Sequence, residues 1–204
     1  MRRARVLIAA ALVGLGLGSV AWAATIRTLD ITRDDDRYAL VADTFLAAPA
    51  DAIFAVLMDY DRMNRISSVY KEYGFLPPAA DGTPIVYTRM EGCLVARLFC
   101  KSMRRVERLE ARAPHYIRTV ALPEQSDFRY AMSEWLLEPQ QNGTKVVYKL
   151  EMEPDFWVPP IIGPYLLKRT LMEGGTRAIS RIERLANALD DPGIVSRDAS
   201  TGRR

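Results

Sequence analysis

The chain has 204 residues, of which 49% are hydrophobic and 26% are charged, with a formal net charge of +3. Three of its 28 basic residues and none of its 25 acidic residues lie in positions 1–23, so the rest of the chain has no net charge. This balance excludes binding to nucleic acid or another anionic partner through bulk charge, and the length suits one domain that buries a large core and still leaves room for a cavity.

The first 23 residues have the three parts of an export signal. Arg2, Arg3 and Arg5 form a basic start, an uncharged apolar stretch runs from Val6 to Val20, and Ala21-Trp22-Ala23 has the form of a cleavage site. The alternative is a retained membrane anchor, but this stretch is shorter than the about 20 residues that a span needs. We therefore predict cleavage after Ala23 and export, with the periplasm of a Gram-negative bacterium as the expected location.

Residues 24–36 form a short N-terminal segment before the predicted domain, which covers residues 37–189. Residues 37–47, RYALVADTFLA, alternate as a first strand does. The next segment, PADAIFAVLMDYDRM, carries a helical stripe of apolar residues, and Asp59-Tyr60-Asp61 predicts the start of a second, very short helix.

A strand-rich region follows, from residue 66 to residue 153. Its predicted strands cover 66–76, 84–91, 98–110, 115–122, 128–138 and 144–153, and Asn142-Gly143 predicts a tight hairpin turn before the last of them. The last strand alternates most clearly. Its apolar side is formed by Val146, Tyr148, Leu150 and Met152, and its charged side by Lys145, Lys149, Glu151 and Glu153.

The two cysteines of the chain, Cys93 and Cys100, lie close together in this region. We predict a disulfide bridge between them, because exported proteins seldom keep two close thiols reduced. By the chain-entropy model such a bridge would add roughly 2.5 kcal/mol of stability; two free buried thiols are the alternative. We predict no metal site and no cofactor, since His115 is the only histidine and no ligand spacing accompanies it.

Residues 154–167, PDFWVPPIIGPYLL, are unusually apolar for a loop. Their prolines and glycine exclude a continuous helix or central strand from Val158 to Pro164. Loops usually lie on the surface, so the apolar side chains must seal the core, form the lip of a pocket, or contact a membrane or partner. The side chains in question are Phe156, Trp157, Ile161 and Ile162.

A long amphipathic helix is predicted from Gly163-Pro164 to residue 189. Gly174-Gly175 inside it costs about 2 kcal/mol relative to alanine, and allows either a close approach to the sheet or a bend. The polar tail, residues 190–204, is expected to be disordered. A curved sheet of six to seven antiparallel strands wrapped round this one helix does not close at its ends, which predicts a cavity between helix and sheet.

The order of these elements resembles the START-like superfamily, also called the helix-grip, Bet v 1-like or SRPBCC fold, which includes polyketide cyclases, coenzyme Q-binding proteins and lipid-transfer domains. The resemblance rests on FLAAPADAIFAVLMDYDRM, on SEWLLEPQQNGTKVVYKLEMEPDF and on a terminal helix that ends in RIERLANAL. It implies an α+β fold with a central apolar cavity, and a loop at the cavity entrance just before the last helix. It does not name the ligand.

The predicted function is therefore that of an exported, monomeric module that binds or transports an apolar small molecule such as a lipid, a quinone or a sterol-like compound. Residues 156–162 form the entrance loop, including Ile161 and Ile162, and allow a transient membrane contact. The predicted cavity lining consists of Tyr130, Met132, Tyr148, Leu150, Met152, Phe156, Trp157 and Leu171.

Two other functions stay open at this point. A cyclase- or hydrolase-like enzyme would use charged strand residues, namely Arg89, Glu91 or Glu134, if their side chains enter the cavity. An envelope interaction protein would use the apolar loop to bind a partner. No G-x-S-x-G, H-E-x-x-H or phosphate-loop motif occurs in the sequence. The prediction of a binding or transport module therefore includes no catalytic residue.

Overall fold

The computed structural model describes residues 25–94, 99–157 and 163–190, without the side chains of residues 25, 93–94, 99, 163–171 and 173. The predicted signal peptide, most of the C-terminal tail, and Ile161 and Ile162 lie outside the described residues. Among the described helices, none contains a stretch that is long and apolar enough to cross a membrane.

Eight strands form one antiparallel sheet, in the spatial order β1-β2-β8-β7-β6-β5-β4-β3. The strands are β1 (Thr25–Asp34), β2 (Arg37–Leu46), β3 (Tyr70–Leu76), β4 (Ile85–Leu94), β5 (Phe99–Arg112), β6 (Tyr116–Ala121), β7 (Phe128–Gln140) and β8 (Gly143–Pro154). Helix α1 (Ala50–Met58) and a 3-10 helix (Tyr60–Arg65) separate β2 from β3, and helix α2 (Gly163–Asp190) follows β8.

The predicted α+β helix-grip fold is confirmed, with one strand more than expected. The additional strand is β1, which occupies most of the segment that the sequence analysis left without structure. Its apolar residues Leu29 and Ile31 pair with Ala42 and Leu40 of β2, and they pack against the buried side chains there. Only two apolar residues alternate with polar ones in β1, and this short pattern is too weak to identify an edge strand from sequence.

The core lies between the sheet and the two α-helices. Ile53, Val56 and Leu57 of α1 and Ile182 and Ala186 of α2 are buried against one sheet face, where they meet several buried aliphatic side chains. Those side chains are Leu46, Val86, Leu109, Ile117, Leu137 and Val146. Burying each large aliphatic side chain contributes about 1.5–3 kcal/mol of stability. These contacts therefore hold both helices firmly on the sheet.

Two polar contacts and one glycine fix the position of α2. The Glu183 carboxylate accepts a hydrogen bond from the backbone N–H of Ala47 at 2.7 Å, and the Arg181 guanidinium donates to the carbonyl of Ile66 at 3.4 Å. The helix continues through Gly174-Gly175, and a Cβ at Gly175 would lie 3.4 Å from Cδ1 of Ile26. This contact favours the prediction of a close approach to the sheet over that of a bend.

The sheet face that packs against the helices is called the inner face below. In-register residues of neighbouring strands point to the same face, so the pairs Val86–Glu107, Thr119–Ser133, Trp135–Tyr148 and Ala42–Tyr148 extend this face across the sheet. The inner face thus includes Leu40, Ala42, Val86, Thr88, Met103, Arg105, Glu107, Thr119, Ser133, Trp135, Tyr148, Leu150 and Met152.

Candidate functional site

A connected polar network crosses the middle of the inner face, from β5 through β6 to β7. The Arg105 guanidinium forms an ion pair with Oε1 of Glu107, and Oγ1 of Thr119 donates to the same oxygen at 2.8 Å. Oγ of Ser133 lies 2.8 Å from Oγ1 of Thr119. Because the single hydroxyl proton of Thr119 is used on Glu107, Ser133 must be the donor in the last bond.

The ion pair at the centre of this network is buried. The Arg105 side chain is 13% exposed, whereas Glu107 is only 3% exposed and Thr119 2%. Although burial alone would lower the pKa of Arg105, the negative charge of Glu107 raises it overall. Removing two charges from water costs several kcal/mol per ion, and their attraction often does no more than offset that cost. Stability alone therefore does not account for a charged pair at this position.

Arg105 keeps unused hydrogen-bonding capacity. Its Nη2 atom bonds to Glu107, but its Nε atom is buried without any partner among the described residues. A buried donor without a partner costs about 1–3 kcal/mol. The guanidinium therefore has at least one N–H group whose hydrogen bond is not made by any described residue.

Three tyrosines lie close enough to the ion pair to be electrostatically coupled to it. Burial raises the pKa of Tyr60, and the negative charge of Glu107 raises it further. Burial also raises the pKa values of Tyr70 and Tyr148, with the positive charge of Arg105 working against this. All three phenols therefore keep their protons, and the network offers neutral hydroxyl groups beside one balanced pair of charges.

Apolar side chains extend the inner face on either side of the network. Leu40, Ala42 and Leu150 form one buried cluster, with Tyr148 and Met152 packed against it. Ala121, Phe128 and Ala131 form a second cluster, which Met103 and Met152 also contact. The polar groups are thus surrounded by hydrocarbon, which is the composition expected of a small-molecule site that orients an apolar ligand through a few polar contacts.

Several of these inner-face residues are deep in the protein and still accessible. Burial strongly affects the pKa values of Tyr70 and Tyr148, yet part of each side chain remains exposed to solvent, as does part of Trp135 and Met152. The helices therefore leave part of the inner face uncovered.

The structure separates the residues predicted to line a cavity into two groups. Tyr148, Leu150 and Met152 lie on the inner face, next to the polar network. Tyr130 and Met132 do not lie there, because Ala131 between them is the residue that pairs with Met152. The prediction was wrong about these two side chains. Tyr130 instead stacks under the Arg37 guanidinium on the outer face, at 4.6 Å from its ring centroid.

The described part of the apolar loop divides between a packed and an exposed aromatic ring. Phe156 is half-buried and packs edge-on against the buried Phe128, with 6.2 Å between the ring centroids, and Nζ of Lys101 lies 4.1 Å from its ring centroid. Trp157 is 78% exposed, so it does not seal the core in this structure. Leu171 lies in α2, but its side chain is outside the described residues.

An open rim pocket of about 360 Å³ lies where the β1–β2 hairpin meets the end of β8. Arg129 bridges Glu153 at 2.7 Å, Asp36 at 3.2 Å and Asp155 at 3.6 Å beside it. Phe156 and Trp157 form its apolar side, and its polar side includes Arg33, Asp36, Tyr38, Arg129 and Asp155. The loop aromatics therefore lie at the rim of the sheet, beside the end of β8 and the turn between β1 and β2.

The residues considered for an enzymatic function point away from the inner face. Arg89 pairs with Glu72 at 2.7 Å and with Glu91 at 3.2 Å on the outer face. The hydrogen bond from Arg89, together with a second from Tyr87, lowers the pKa of Glu72 to about 2. Glu134 is also on the outer face, where it binds Lys149 at 3.0 Å. The idea that these three side chains act inside the cavity was wrong.

Sequence reasoning missed the residues that do point inward, namely Arg105, Glu107, Thr119 and Ser133. A signal was present in β5, since Arg105 and Glu107 are in phase with Met103 and Leu109. It was obscured because Val106, on the opposite face, is also fully buried. With apolar residues on both faces, alternation does not tell which one is inside.

Cys93 and Cys100 lie directly opposite each other in the β4–β5 pair. This register is compatible with the predicted disulfide, which stays a prediction. Within the described part of the chain, no group of three or more histidine, cysteine or acidic residues is arranged to hold a metal ion.

Comparison of the sequence with known protein families gives no match, and no curated protein matches it either. Solved structures, in contrast, match at low identity. A START superfamily protein from Mycobacterium smegmatis is 21% identical, with a TM-score of 0.57 over 72% of this chain and 98% of that one. The Zhui aromatase/cyclase from Streptomyces sp. R1128 is 14% identical, with a TM-score of 0.58 over 77% of this chain and 98% of that one.

Human STARD10 is more distant in sequence, at 9% identity, but has a TM-score of 0.56 over 81% of this chain and 74% of that one. The structural similarity establishes the fold, but at identities this low it does not identify the ligand. The antiparallel sheet and the C-terminal helix that packs on it agree with these structures, and the chain has the START-like, helix-grip fold.

Proposed function

We propose that this protein binds an apolar small molecule in the cavity between the inner face and α2, as a binding or transport module. The observation that carries the proposal is the set of inner-face side chains that stay partly accessible, Tyr148 and Met152 among them, on the same sheet face as the Arg105–Glu107 pair. The apolar clusters would hold the hydrocarbon part of a lipid, a quinone or a sterol-like compound, and the rim beside Phe156 and Trp157 would be its way in.

Native mass spectrometry of the purified protein, followed by extraction of the bound compound, tests this proposal. We expect the wild-type protein to carry an apolar compound. Ser133→Phe should lose it, because Ser133 is on the inner face and the larger ring would fill the cavity. Met132→Phe is the matched control, since Met132 is the neighbouring residue on the outer face. If wild-type protein carries no compound and takes up none from a lipid extract, the proposal is wrong.

A cyclase- or hydrolase-like enzyme remains the alternative, and the observation that favours it is the polar network inside the cavity. The extraction experiment separates the two functions. A binding or transport protein returns the compound chemically unchanged after long incubation, whereas an enzyme converts it. A transient membrane contact through the loop, a monomeric state and export to the periplasm complete the proposal.

Export and the disulfide can be tested together by one intact-mass measurement. Protein recovered from the cell envelope should begin at Ala24, because residues 1–23 have the pattern of a cleaved signal. Its mass should rise by about 2 Da on reduction, the mass of the two hydrogen atoms added to Cys93 and Cys100. A full-length precursor in the cytoplasm would contradict export, and a mass unaffected by reductant would contradict the bridge.

A further inference from the structure

The polar network on the inner face also limits the chemistry of the ligand. Among the described residues, Arg105 uses only its Nη2 atom, on Glu107, and its side chain is still 13% exposed. Nε has no partner. The exposed part of the guanidinium can still be reached by a ligand, and an oxygen atom of that ligand is the acceptor that would satisfy an N–H donor there.

The charge of that oxygen is limited by Glu107. Its carboxylate lies against the guanidinium and is held there by Thr119 as well, so the buried pair carries no net charge. A carboxylate on the ligand would be attracted by Arg105 and repelled by Glu107, and it would lose its hydration without compensation. A carbonyl or hydroxyl oxygen is far less costly to bury and accepts the same hydrogen bond.

We propose that the apolar ligand presents an uncharged oxygen, a carbonyl or a hydroxyl, to Arg105, and that Glu107 makes the cavity reject carboxylates. This inference rests on the proposed function. Within the class of apolar compounds it selects alcohols, ketones, quinones and esters, and it excludes free fatty acids. Thr119 and Ser133 act as positioning residues, because their hydrogen-bonded chain holds the Glu107 carboxylate on the guanidinium.

Four probes with the same hydrocarbon chain test the inference: hexadecane, hexadecanol, methyl palmitate and palmitate. Their affinities are measured by competition with a fluorescent apolar probe, at a pH where palmitate is ionised. The wild-type protein should bind hexadecanol and methyl palmitate about 10-fold or more tighter than palmitate, because the ionised carboxylate loses its hydration and is repelled by Glu107.

The variant Glu107→Gln should abolish this preference. The glutamine has the same shape but leaves the charge of Arg105 unbalanced, so palmitate should gain about 10-fold or more in affinity while hexadecanol changes much less. Glu151→Gln on the outer face of β8 is the matched control and should keep the wild-type order. Circular dichroism verifies that each variant is folded. If Glu107→Gln does not fold, the relative affinities of the wild-type protein for the four probes decide the test.

Three outcomes overturn the inference. Wild-type protein that binds palmitate as tightly as hexadecanol, or a folded Glu107→Gln variant that keeps the wild-type order, rejects the role of Arg105 and Glu107 and leaves the proposed function intact. If none of the four probes binds, hexadecane included, the proposed function falls together with the inference.

Discussion

Replacing Glu107 by leucine should lower the free energy of unfolding by about 3–5 kcal/mol, the cost of removing one partner of a buried ion pair. The variant keeps the guanidinium of Arg105 in a site with little water. Arginine cannot escape this cost by losing its proton, because a guanidinium is not deprotonated in proteins. Urea denaturation measures the effect, and Glu151→Leu on the outer face is the control that should change stability by less than about 0.5 kcal/mol.

The double variant Arg105→Met/Glu107→Leu should recover most of that loss. With both charges gone, the cavity wall becomes apolar, and replacing a whole buried pair in this way is often neutral or stabilising. The recovered protein should bind hexadecane as before but should no longer prefer hexadecanol. If the double variant is less stable than Glu107→Leu alone, the pair serves to hold the fold together and its retention needs no ligand.

The sequence predicted the fold well because the fold depends on long patterns. The alternation in β8 extends over many residues, and the turn at Asn142-Gly143 and the proline-rich loop before α2 mark where the neighbouring elements end. Together they define the order of the elements. Edge strand β1 was missed for the converse reason. It buries one side of a short segment, so few residues carry its signal.

The site was predicted only in part because lining a cavity depends on which face of a strand is inside. Tyr148, Leu150 and Met152 were assigned correctly to the inner face, since charged residues occupy the other side of β8. In β7, Tyr130 and Met132 are about as apolar as Ala131, and the register with β8 decides between them. A shift of one residue moves every side chain to the opposite face.

The polar network was missed for a related physical reason. Charged residues in a strand are normally on its solvent side, and Arg89, Glu91 and Glu134 were considered as exceptions without evidence from the pattern. The true exceptions, Arg105 and Glu107, satisfy each other across two positions of one strand. Whether such a pair is buried depends on the residues that surround it in the folded protein. Sequence spacing alone does not distinguish it from an exposed pair such as Arg112 and Glu110.

The exposed position of Trp157 permits a sharp test of the entrance. Trp157→Ala should leave the thermal stability almost unchanged, because the ring is 78% exposed and contributes little to the core. If the ring closes over the ligand, its contact is worth about 1.5–3 kcal/mol, so the affinity for hexadecanol should fall roughly 10- to 100-fold. Calorimetric melting and the competition assay measure both quantities on one protein.

Phe156→Ala is the matched comparison, from the neighbouring position of the same loop. Its ring packs on Phe128 and is half-buried, so the variant should lose about 1.5–2.5 kcal/mol of stability, about half of the cost at a fully buried phenylalanine. Unchanged hexadecanol affinity in Trp157→Ala would contradict a role in ligand binding. If Trp157→Ala keeps its affinity but delivers its ligand to lipid vesicles more slowly than wild type, the Trp157 ring acts on the membrane surface, where tryptophan is favoured.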